Sequence, residues 1–149
     1  MPTAPNKLRA PAVAVDVDIQ ARWSDLDPNG HVNSAQAIIM VQEARVIAGL
    51  NWAGDIPSVD SPRVVRSINV EFDAELSYGP PITAKVWISR IGRTSYTVCH
   101  ELVQEGRSCV YAETPIVVLD RETRTPSPLP DDFRERLARY QADASNPNT

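Results

Sequence analysis

Apolar and polar residues alternate from position 13 to position 23, with Ala14 as the one exception. The odd positions are apolar over this stretch: Val13, Val15, Val17, Ile19, Ala21 and Trp23. Successive side chains of a β-strand point to opposite faces of its sheet. The alternation therefore predicts a first strand with one buried face and one solvated face.

The next segment has helical spacing. Between positions 33 and 50 no turn residue appears before Gly49. A helix that is apolar nearly all round is a buried helix, and Gly49, or Gly54 beyond it, can end this one. One apolar stripe comprises Ala35, Ile38, Ile39, Val46 and Leu50. Further apolar residues lie off that stripe, and the polar residues do not collect on one face, so the segment predicts a buried helix.

Four more strands are predicted in the second half of the chain. They cover residues 64–76, 82–88, 96–103 and 109–119. Turn residues separate them, most clearly at Glu105-Gly106 between the last two. Pro115 lies within the fifth strand, so a bulge or an unpaired edge is expected there. Residues 131–141 predict a short amphipathic helix.

This order of elements predicts an α+β fold, a curved five-stranded, mainly antiparallel sheet wrapped around one long central helix. We expect a single domain over residues 12–142, with flexible tails at 1–11 and 143–149. One subunit can cover only one side of the helix, and the sheet has two open edges. Both features predict that the chain associates with copies of itself.

Composition narrows the class of protein. The chain has 149 residues, 42% hydrophobic and 23% charged, with a net charge of −4, which is typical of one globular domain. No Lys/Arg-rich run indicates a nucleic-acid partner, and no apolar run is long enough for a signal peptide or a membrane span. We therefore expect a cytoplasmic protein. Cys99 and Cys109 lack zinc-type neighbours and are expected to be buried and unpaired.

The stretch D-L-D-P-N-G-H-V-N, residues 25–33, carries the densest group of candidate chemical residues. Its first six positions match a calcium-binding EF-hand loop. The twelfth position of such a loop is a bidentate Glu, and here it is Gln36. An EF-hand also needs a helix before the loop, where this chain predicts a strand. Both points argue against calcium, and no metal site is expected.

A plain strand-to-helix turn is the second interpretation of this stretch. Pro28-Asn29-Gly30 is favourable turn chemistry, and Asn33 or Asp27 can cap the helix. The turn explains Asn29 as a residue that shapes the loop. It explains Asp27 and His31 together less well.

A catalytic loop is the third interpretation. The N-terminus of a helix offers free N–H groups and a partial positive charge, and Gly30 lets a ligand approach the backbone closely. Donors of this kind stabilise the oxygen of an acyl carbonyl as it gains negative charge. Asp27 can act on the carbonyl carbon directly or activate a water. No Ser-His-Asp set is needed, and no G-x-S-x-G motif occurs.

The motif D-x-D-x-x-G-H-V-N between a strand and a long helix, with Q-E-A-R later in that helix, resembles the hotdog-fold acyl-CoA thioesterases of the 4-hydroxybenzoyl-CoA thioesterase family. The likeness is weaker elsewhere and covers about residues 13–140. It implies hydrolysis of an acyl-CoA to a free acid and CoA. CoA is part of the substrate, and no cofactor is implied. The resemblance also implies a homodimer with two active sites at the subunit interface, and dimers that often pair into homotetramers.

The resemblance further implies roles for the residues of the loop. Asp27 matches the catalytic carboxylate of the family. The backbone N–H groups around Gly30 and His31 would polarise the thioester carbonyl. His31 and Asn33 would order the loop or touch the substrate, and Asp25 would hold the loop by hydrogen bonds. Ala37 and Met40 depart from the family, because many relatives carry Tyr there, so the acyl pocket could be wider or could be filled from elsewhere.

Other polar residues are candidates for binding CoA. Arg66 falls in the apolar phase of its strand, where it can form an ion pair or contact CoA phosphates. Arg90 and Arg93 flank Gly92 near a strand end, and Ser95 can donate a hydrogen bond there. As surface loop residues, Arg90 and Arg93 are usually just solvated.

Two other functions remain open from the sequence. Hotdog-fold proteins also include enoyl thioester hydratases and dehydratases, which pair a His with an Asp or Glu in a different loop pattern. A non-enzymatic acyl-CoA binder would keep the pocket without turnover. Acyl carrier protein is a further substrate to consider, although no basic patch for it is visible in the sequence.

Overall fold

A computed structural model describes residues 7–142 of the chain. These residues form six strands and two α-helices, with one short 3-10 turn at Trp23–Asp25 between the first strand and the first helix. In chain order the elements are β1 (Val15–Ile19), α1 (Ser34–Ala53), β2 (Arg63–Val65), β3 (Asn69–Phe72), β4 (Ile82–Ile91), β5 (Ser95–Gln104), β6 (Arg107–Val118) and α2 (Asp131–Ala138).

The strands form one antiparallel sheet in the order β1-β4-β5-β6-β2, and β3 also pairs with β6. The long helix α1 packs against β1, β4 and β5, and α2 packs beside it. The predicted α+β architecture, a curved sheet around one long helix, is confirmed. The sheet ends at β1 on one side and at the β2–β3 pair on the other.

The predicted second strand is two strands in the structure, so the sheet has six strands rather than five. Residues 66–68 lie between the pairs Val65↔Ile116 and Asn69↔Glu113. These three residues stand opposite only two residues of β6. One extra residue on one strand of a pair defines a β-bulge. Pro115 is one of those two, and it has no N–H to donate toward the interrupted strand. The bulge expected at Pro115 is therefore present.

The buried face of α1 is not the apolar stripe predicted from the spacing. Ile39 and Leu50 of that stripe are about half exposed. The residues that face the sheet are instead Ala37, Met40, Val41, Ala44, Ala48 and Trp52. The small alanines let the helix approach the sheet closely, which the larger isoleucines would prevent. The larger apolar residues consequently remain on the outer side of the helix.

The ends of α1 are set by two predicted residues. The side-chain oxygen Oδ1 of Asn33 accepts a hydrogen bond from the Ala35 N–H at 2.8 Å, so Asn33 is the N-cap. Gly54 adopts a left-handed conformation with φ 75° and donates its N–H to the Leu50 carbonyl. Gly54 is therefore the stop signal, and Gly49 lies inside the helix.

The N-terminal residues that the structure describes are bound to the sheet. The N–H groups of Arg9 and Ala10 donate to the carboxylate of Glu101, which is fully buried. Residues 7–11 are thus part of the fold rather than of a loose tail, because a buried carboxylate requires donors. The rest of the predicted tails, 1–6 and 143–149, lies outside the described residues. Cys99 and Cys109 are buried and unpaired, as predicted.

Candidate active site

The loop before α1 is a closed turn built by its own sequence. Asp27-Pro28-Asn29-Gly30 has the residues that a type I turn favours, and the Gly30 N–H donates to the Asp27 carbonyl at 2.9 Å. Gly30 follows with φ 81°, a conformation that glycine adopts without strain. The Asp27 N–H donates to the His31 carbonyl at 2.9 Å and closes the loop. The plain-turn interpretation is therefore correct as a description of the backbone.

Asp25 holds the start of this loop. Its side chain is buried, and its carboxylate accepts hydrogen bonds from the Arg22 N–H at 2.7 Å and the Arg22 guanidinium at 3.0 Å. Its carbonyl accepts the Asn33 N–H at 2.8 Å. Burial alone would raise the pKa of Asp25, but the hydrogen bonds from Arg22 outweigh it and lower the pKa. Asp25 therefore stays ionised and structural.

Asp27 differs from Asp25 because it is only partly buried and lines a cleft. One oxygen, Oδ1, accepts the Asn29 N–H at 2.9 Å, and this bond gives Asn29 the loop-shaping role expected of it. Among the described residues, the other oxygen has no hydrogen-bond partner. That oxygen can act on a molecule in the cleft.

His31 links the loop to the opposite wall of the cleft. Its Nε2 lies 3.0 Å from Oε2 of Glu75, which follows β3. The Val32 N–H donates to the Leu76 carbonyl at 2.9 Å and joins the same two segments. These contacts fix the width of the cleft beside Asp27. Their position indicates that His31 orders the site.

The cleft has a volume of about 650 Å³. Its walls come from the loop, the first turn of α1, the segment after β3 and the start of β6. The residues that carry most of the chemistry are Asp27, Asn29, His31, Ser34, Phe72, Asp73, Glu75 and Arg107. A cleft of this size, with convergent charged groups and a free carboxylate, has the form of a small-molecule site.

The predicted carbonyl donors are only partly free. The Gly30 N–H is used within the turn, so it does not point at a ligand. The oxygen of the Asn33 side chain is used as the helix cap. The His31 N–H and the first turn of α1 remain, because the first N–H groups of a helix have no intrahelical partners.

The predicted CoA-binding residues lie away from this cleft within one subunit. Arg90 donates to the Ser95 hydroxyl at 2.8 Å in the β4–β5 turn. Ser95 pairs with Val117, seven residues along β6 from Val110 at the cleft. At ~3.3 Å per residue this is about 23 Å. Arg93 lies in the same turn.

Arg66 is also outside the cleft. It is exposed on the bulge between β2 and β3, and its N–H donates to the Pro115 carbonyl at 3.0 Å. It is not buried in an ion pair, because the bulge turns the residue out of the apolar phase that the spacing predicted.

Sequence reasoning missed several residues of the cleft, among them Phe72, Glu75 and Arg107. Phe72 and Glu75 were assigned to one long regular strand, and the chain leaves β3 after Phe72. Arg107 stands beside the correctly predicted Glu105-Gly106 turn. Its place in the cleft depends on the pairing of β3 with β6, which one sequence does not reveal.

Metal-binding clusters and membrane-spanning helices are absent from the part of the chain that the structure describes. No group of three or more His, Cys, Asp or Glu residues could hold a metal ion there. Among the same residues, no helix is long and apolar enough to cross a membrane.

Comparison with known proteins identifies the family. The profile of the Thioesterase-like superfamily matches residues 21–137, so the chain belongs to that superfamily. The match covers the loop, α1, strands β2 to β6 and nearly all of α2, and it begins just after β1. A search of curated proteins found no match. The finer resemblance to the 4-hydroxybenzoyl-CoA thioesterases stays a prediction.

Solved structures with the same fold are also named thioesterases. A predicted thioesterase from Bacillus stearothermophilus is 26% identical, with a TM-score of 0.81 over 87% of this chain and 97% of that one. A thioesterase from Thermus thermophilus, solved with coenzyme A and Zn, is 26% identical, with a TM-score of 0.71 over 84% and 91%. A thioesterase superfamily protein from Jannaschia sp. CCS1 has a TM-score of 0.84 at 16% identity over 93% and 100%, which shows the fold alone. Together these comparisons support thioester hydrolysis as the class of reaction.

Proposed function

We propose that the chain hydrolyses acyl-CoA thioesters to a free carboxylic acid and CoA, with Asp27 as the catalytic carboxylate. The observation that carries this proposal is the free Asp27 oxygen in a cleft beside the N-terminus of α1. Membership of the Thioesterase-like superfamily supports the reaction class. Coenzyme A in the Thermus structure supports the choice of carrier.

Two routes fit a carboxylate in this position. In one, Asp27 adds to the thioester carbon, the C–S bond breaks, CoA leaves as a thiolate, and water then hydrolyses the acyl-aspartate anhydride. In the other, Asp27 takes a proton from water, the hydroxide adds to the carbon, and the departing thiolate receives the proton. In both routes the His31 N–H and the first turn of α1 stabilise the carbonyl oxygen as it gains negative charge.

The CoA portion needs cationic partners, and Arg107 is the arginine that lines the same cleft as Asp27. Arg90 and Arg93 lie at the far end of the sheet and would have to come from another copy. If two copies join their β2–β3 edges about a two-fold axis, the strands run antiparallel across the junction. The far end of one sheet then lies beside the cleft of the other. We therefore propose a homodimer with the site at its interface, and dimers that can pair into a tetramer.

The first experiment measures CoA-thiol release from aliphatic and aromatic acyl-CoAs by the wild type and Asp27→Asn. Because Asn cannot act as base or nucleophile, we expect turnover to fall by about 10²–10⁴-fold. The fold should remain, because the Asn oxygen can still accept the Asn29 N–H. Circular dichroism and the unfolding midpoint check this, and a protein-only blank corrects for Cys99 and Cys109.

Asp25→Asn is the matched control, since it changes the other carboxylate of the same loop. It should lower the stability and leave kcat within a small factor of the wild type. If Asp25→Asn abolishes turnover while Asp27→Asn does not, the catalytic assignment is wrong. Tight acyl-CoA binding without turnover would instead indicate a binder, and water addition to crotonyl-CoA would indicate a hydratase.

A further inference from the structure

A second cavity lies at the other end of α1. It is about 60 Å³, measured as the space open to the centre of a water molecule, and is enclosed by the C-terminal half of α1, the start of β5 and the edge strand β2. By this measure about 10–15 Å³ is enough for one water. The cavity can therefore hold a group of several heavy atoms, such as a carboxylate.

The cavity carries one positive charge without a partner. Arg63 lines it and is paired with Asp55, the two side chains meeting at 3.0 Å. Arg45 also lines it, and the guanidinium atom Nη1 is buried with no hydrogen bond among the described residues. Burial lowers the pKa of Arg45, because it disfavours the charged form. A buried guanidinium nitrogen without a partner is costly, and an anion placed beside it removes that cost.

The neighbouring polar side chains cannot neutralise Arg45. Burial lowers the pKa of His100 to about 3, and the charge of Arg45 adds to this effect. His100 Nδ1 lies 3.1 Å from the Ala112 carbonyl and therefore carries the proton of the neutral ring. Burial raises the pKa of Tyr96 to about 12, so that phenol is neutral too. Thr114 Oγ1 is buried and also lacks a hydrogen-bond partner among the described residues.

Both cavities open on the side of α1 that faces the β2–β3 edge. The cleft touches Ala37 and Phe72, and the second cavity touches Arg45 and Val65. Arg45 is eight residues beyond Ala37, which is about 12 Å along a helix. Phe72, which lines the cleft, and Val65, which lines the second cavity, are 51% and 39% exposed and form an apolar wall on the β2–β3 edge. An acyl chain that starts at Asp27 and follows this apolar wall ends beside Arg45.

We propose that Arg45 binds a carboxylate at the far end of the acyl chain, so that the substrates are medium-length ω-carboxyacyl thioesters. This inference rests on the proposed function for the location of the thioester. A carboxylate fits better than a phosphate because the cavity is small and offers a single uncompensated charge. A guanidinium also pairs with a carboxylate through two parallel hydrogen bonds.

Binding without turnover gives the first test. The ligands are two non-hydrolysable thioethers of CoA, one with a dodecyl chain and one with the same chain ending in a carboxylate. Calorimetry should show that the wild type binds the carboxylate-ended thioether about 10–100-fold more tightly, the range of a charge-assisted hydrogen bond. Arg45→Gln should remove that preference, and Arg45→Lys should restore part of it. Arg139→Gln, an exposed arginine at the end of α2, is the matched control and should retain the preference.

Turnover gives the second test and separates this inference from the proposed function. With dodecanoyl-CoA and dodecanedioyl-CoA, kcat/KM for the dicarboxylic substrate should fall about 10–100-fold in Arg45→Gln. The value for dodecanoyl-CoA should stay equal or rise. If the wild type hydrolyses both equally well and Arg45→Gln changes neither, this inference is wrong while the proposed function stands. If no thioester is hydrolysed, the proposed function fails and the calorimetric preference alone decides the role of Arg45.

One further outcome would overturn the inference. A carboxylate of a second copy could be the partner of Arg45. In that case Arg45→Gln would weaken self-association in sedimentation experiments and lower the affinity for both thioethers equally.

Discussion

Asp25 and Asp27 lie two residues apart in one loop and have opposite surroundings. Asp25 is 3% exposed and has two hydrogen bonds from Arg22. Asp27 faces the cleft with one oxygen free of hydrogen bonds to the described residues. A carboxylate whose oxygens already accept hydrogen bonds is stabilised as an anion and is a poor base or nucleophile. A carboxylate with an oxygen free of hydrogen bonds can react with a substrate or a water. The loop that Asp25 stabilises is therefore the loop that places the Asp27 carboxylate at the cleft.

His100 permits a prediction on pH and stability. Its pKa is about 3 in the folded chain, because burial disfavours the charged ring, and near 6.5 when unfolded. The unfolded state therefore binds more protons between these values, so stability falls as the pH drops below about 6.5. Between pH 7 and pH 5 the loss from this residue is about 2 kcal/mol.

Urea unfolding at pH 7 and pH 5 measures that loss. His100→Gln removes the titrating group, so its free energy of unfolding should change less between the two pH values than that of the wild type. The quantity compared is the change in the free energy of unfolding between the two pH values, so a lower overall stability of the variant does not affect it. An equal change for both proteins would show that His100 binds a proton as readily in the folded chain as in the unfolded chain.

At the scale of elements, the periodicity predicted the order and type of nearly every element. β1 and the β5–β6 hairpin can be predicted from local sequence. A half-buried strand alternates apolar and polar residues, and a tight hairpin turn favours Gly. The face of α1 could not be predicted in this way. The spacing of large apolar residues predicts a buried face that includes Ile39 and Leu50. In the structure the face packed against the sheet is instead rich in alanine.

The same limit applies to the site. The loop from Asp25 to Asn33 was predicted because all of its residues are close in sequence. Glu75 and Arg107 reach the cleft only through the pairing of β3 with β6 and the contacts of the loop with the segment after β3. Strand pairing between distant segments depends on the whole fold, so a single sequence does not show it.

Replacing either of the two glycines near the end of α1 by alanine should change the stability of the fold, in opposite directions. Gly54 has φ 75°, which an alanine adopts only with strain, so Gly54→Ala should destabilise the fold by about 1 kcal/mol. A Cβ on Gly49 would meet Trp52 Nε1 at 3.7 Å, an ordinary contact. Gly49→Ala should therefore stabilise the fold by up to about 1 kcal/mol.

Urea unfolding of the two variants beside the wild type is the measurement. Each adds one methyl group to the same helix, so each is the control for the other. A loss of stability in Gly49→Ala would show that the helix near Trp52 has no room for the methyl group. An unchanged Gly54→Ala would show that the helix does not end at this residue.

At the scale of the molecule, apolar side chains stay exposed at one sheet edge and on α1. The edge strands β2 and β3 expose Val64, Val65 and Phe72, and the outer side of α1 exposes Ile39 and Ile47. Contiguous apolar side chains at a sheet edge are uncommon on monomeric proteins, because such edges tend to pair with other chains. These surfaces favour the dimer through the β2–β3 edge, which would also complete the active site.

Val64 and Val13 offer a matched pair for testing that dimer. Val64 lies on β2 and is 39% exposed, and Val13 lies just before β1 at the opposite edge and is 38% exposed. A lysine on an edge strand opposes pairing with another strand, since its charge would have to be desolvated. Light scattering should give a dimer for the wild type and Val13→Lys, and a monomer for Val64→Lys. Because the proposed site needs both copies, Val64→Lys should also lose thioester hydrolysis while its unfolding midpoint stays close to that of Val13→Lys. A folded monomer that keeps full turnover would place the whole reaction within one subunit and remove Arg90 and Arg93 from the site.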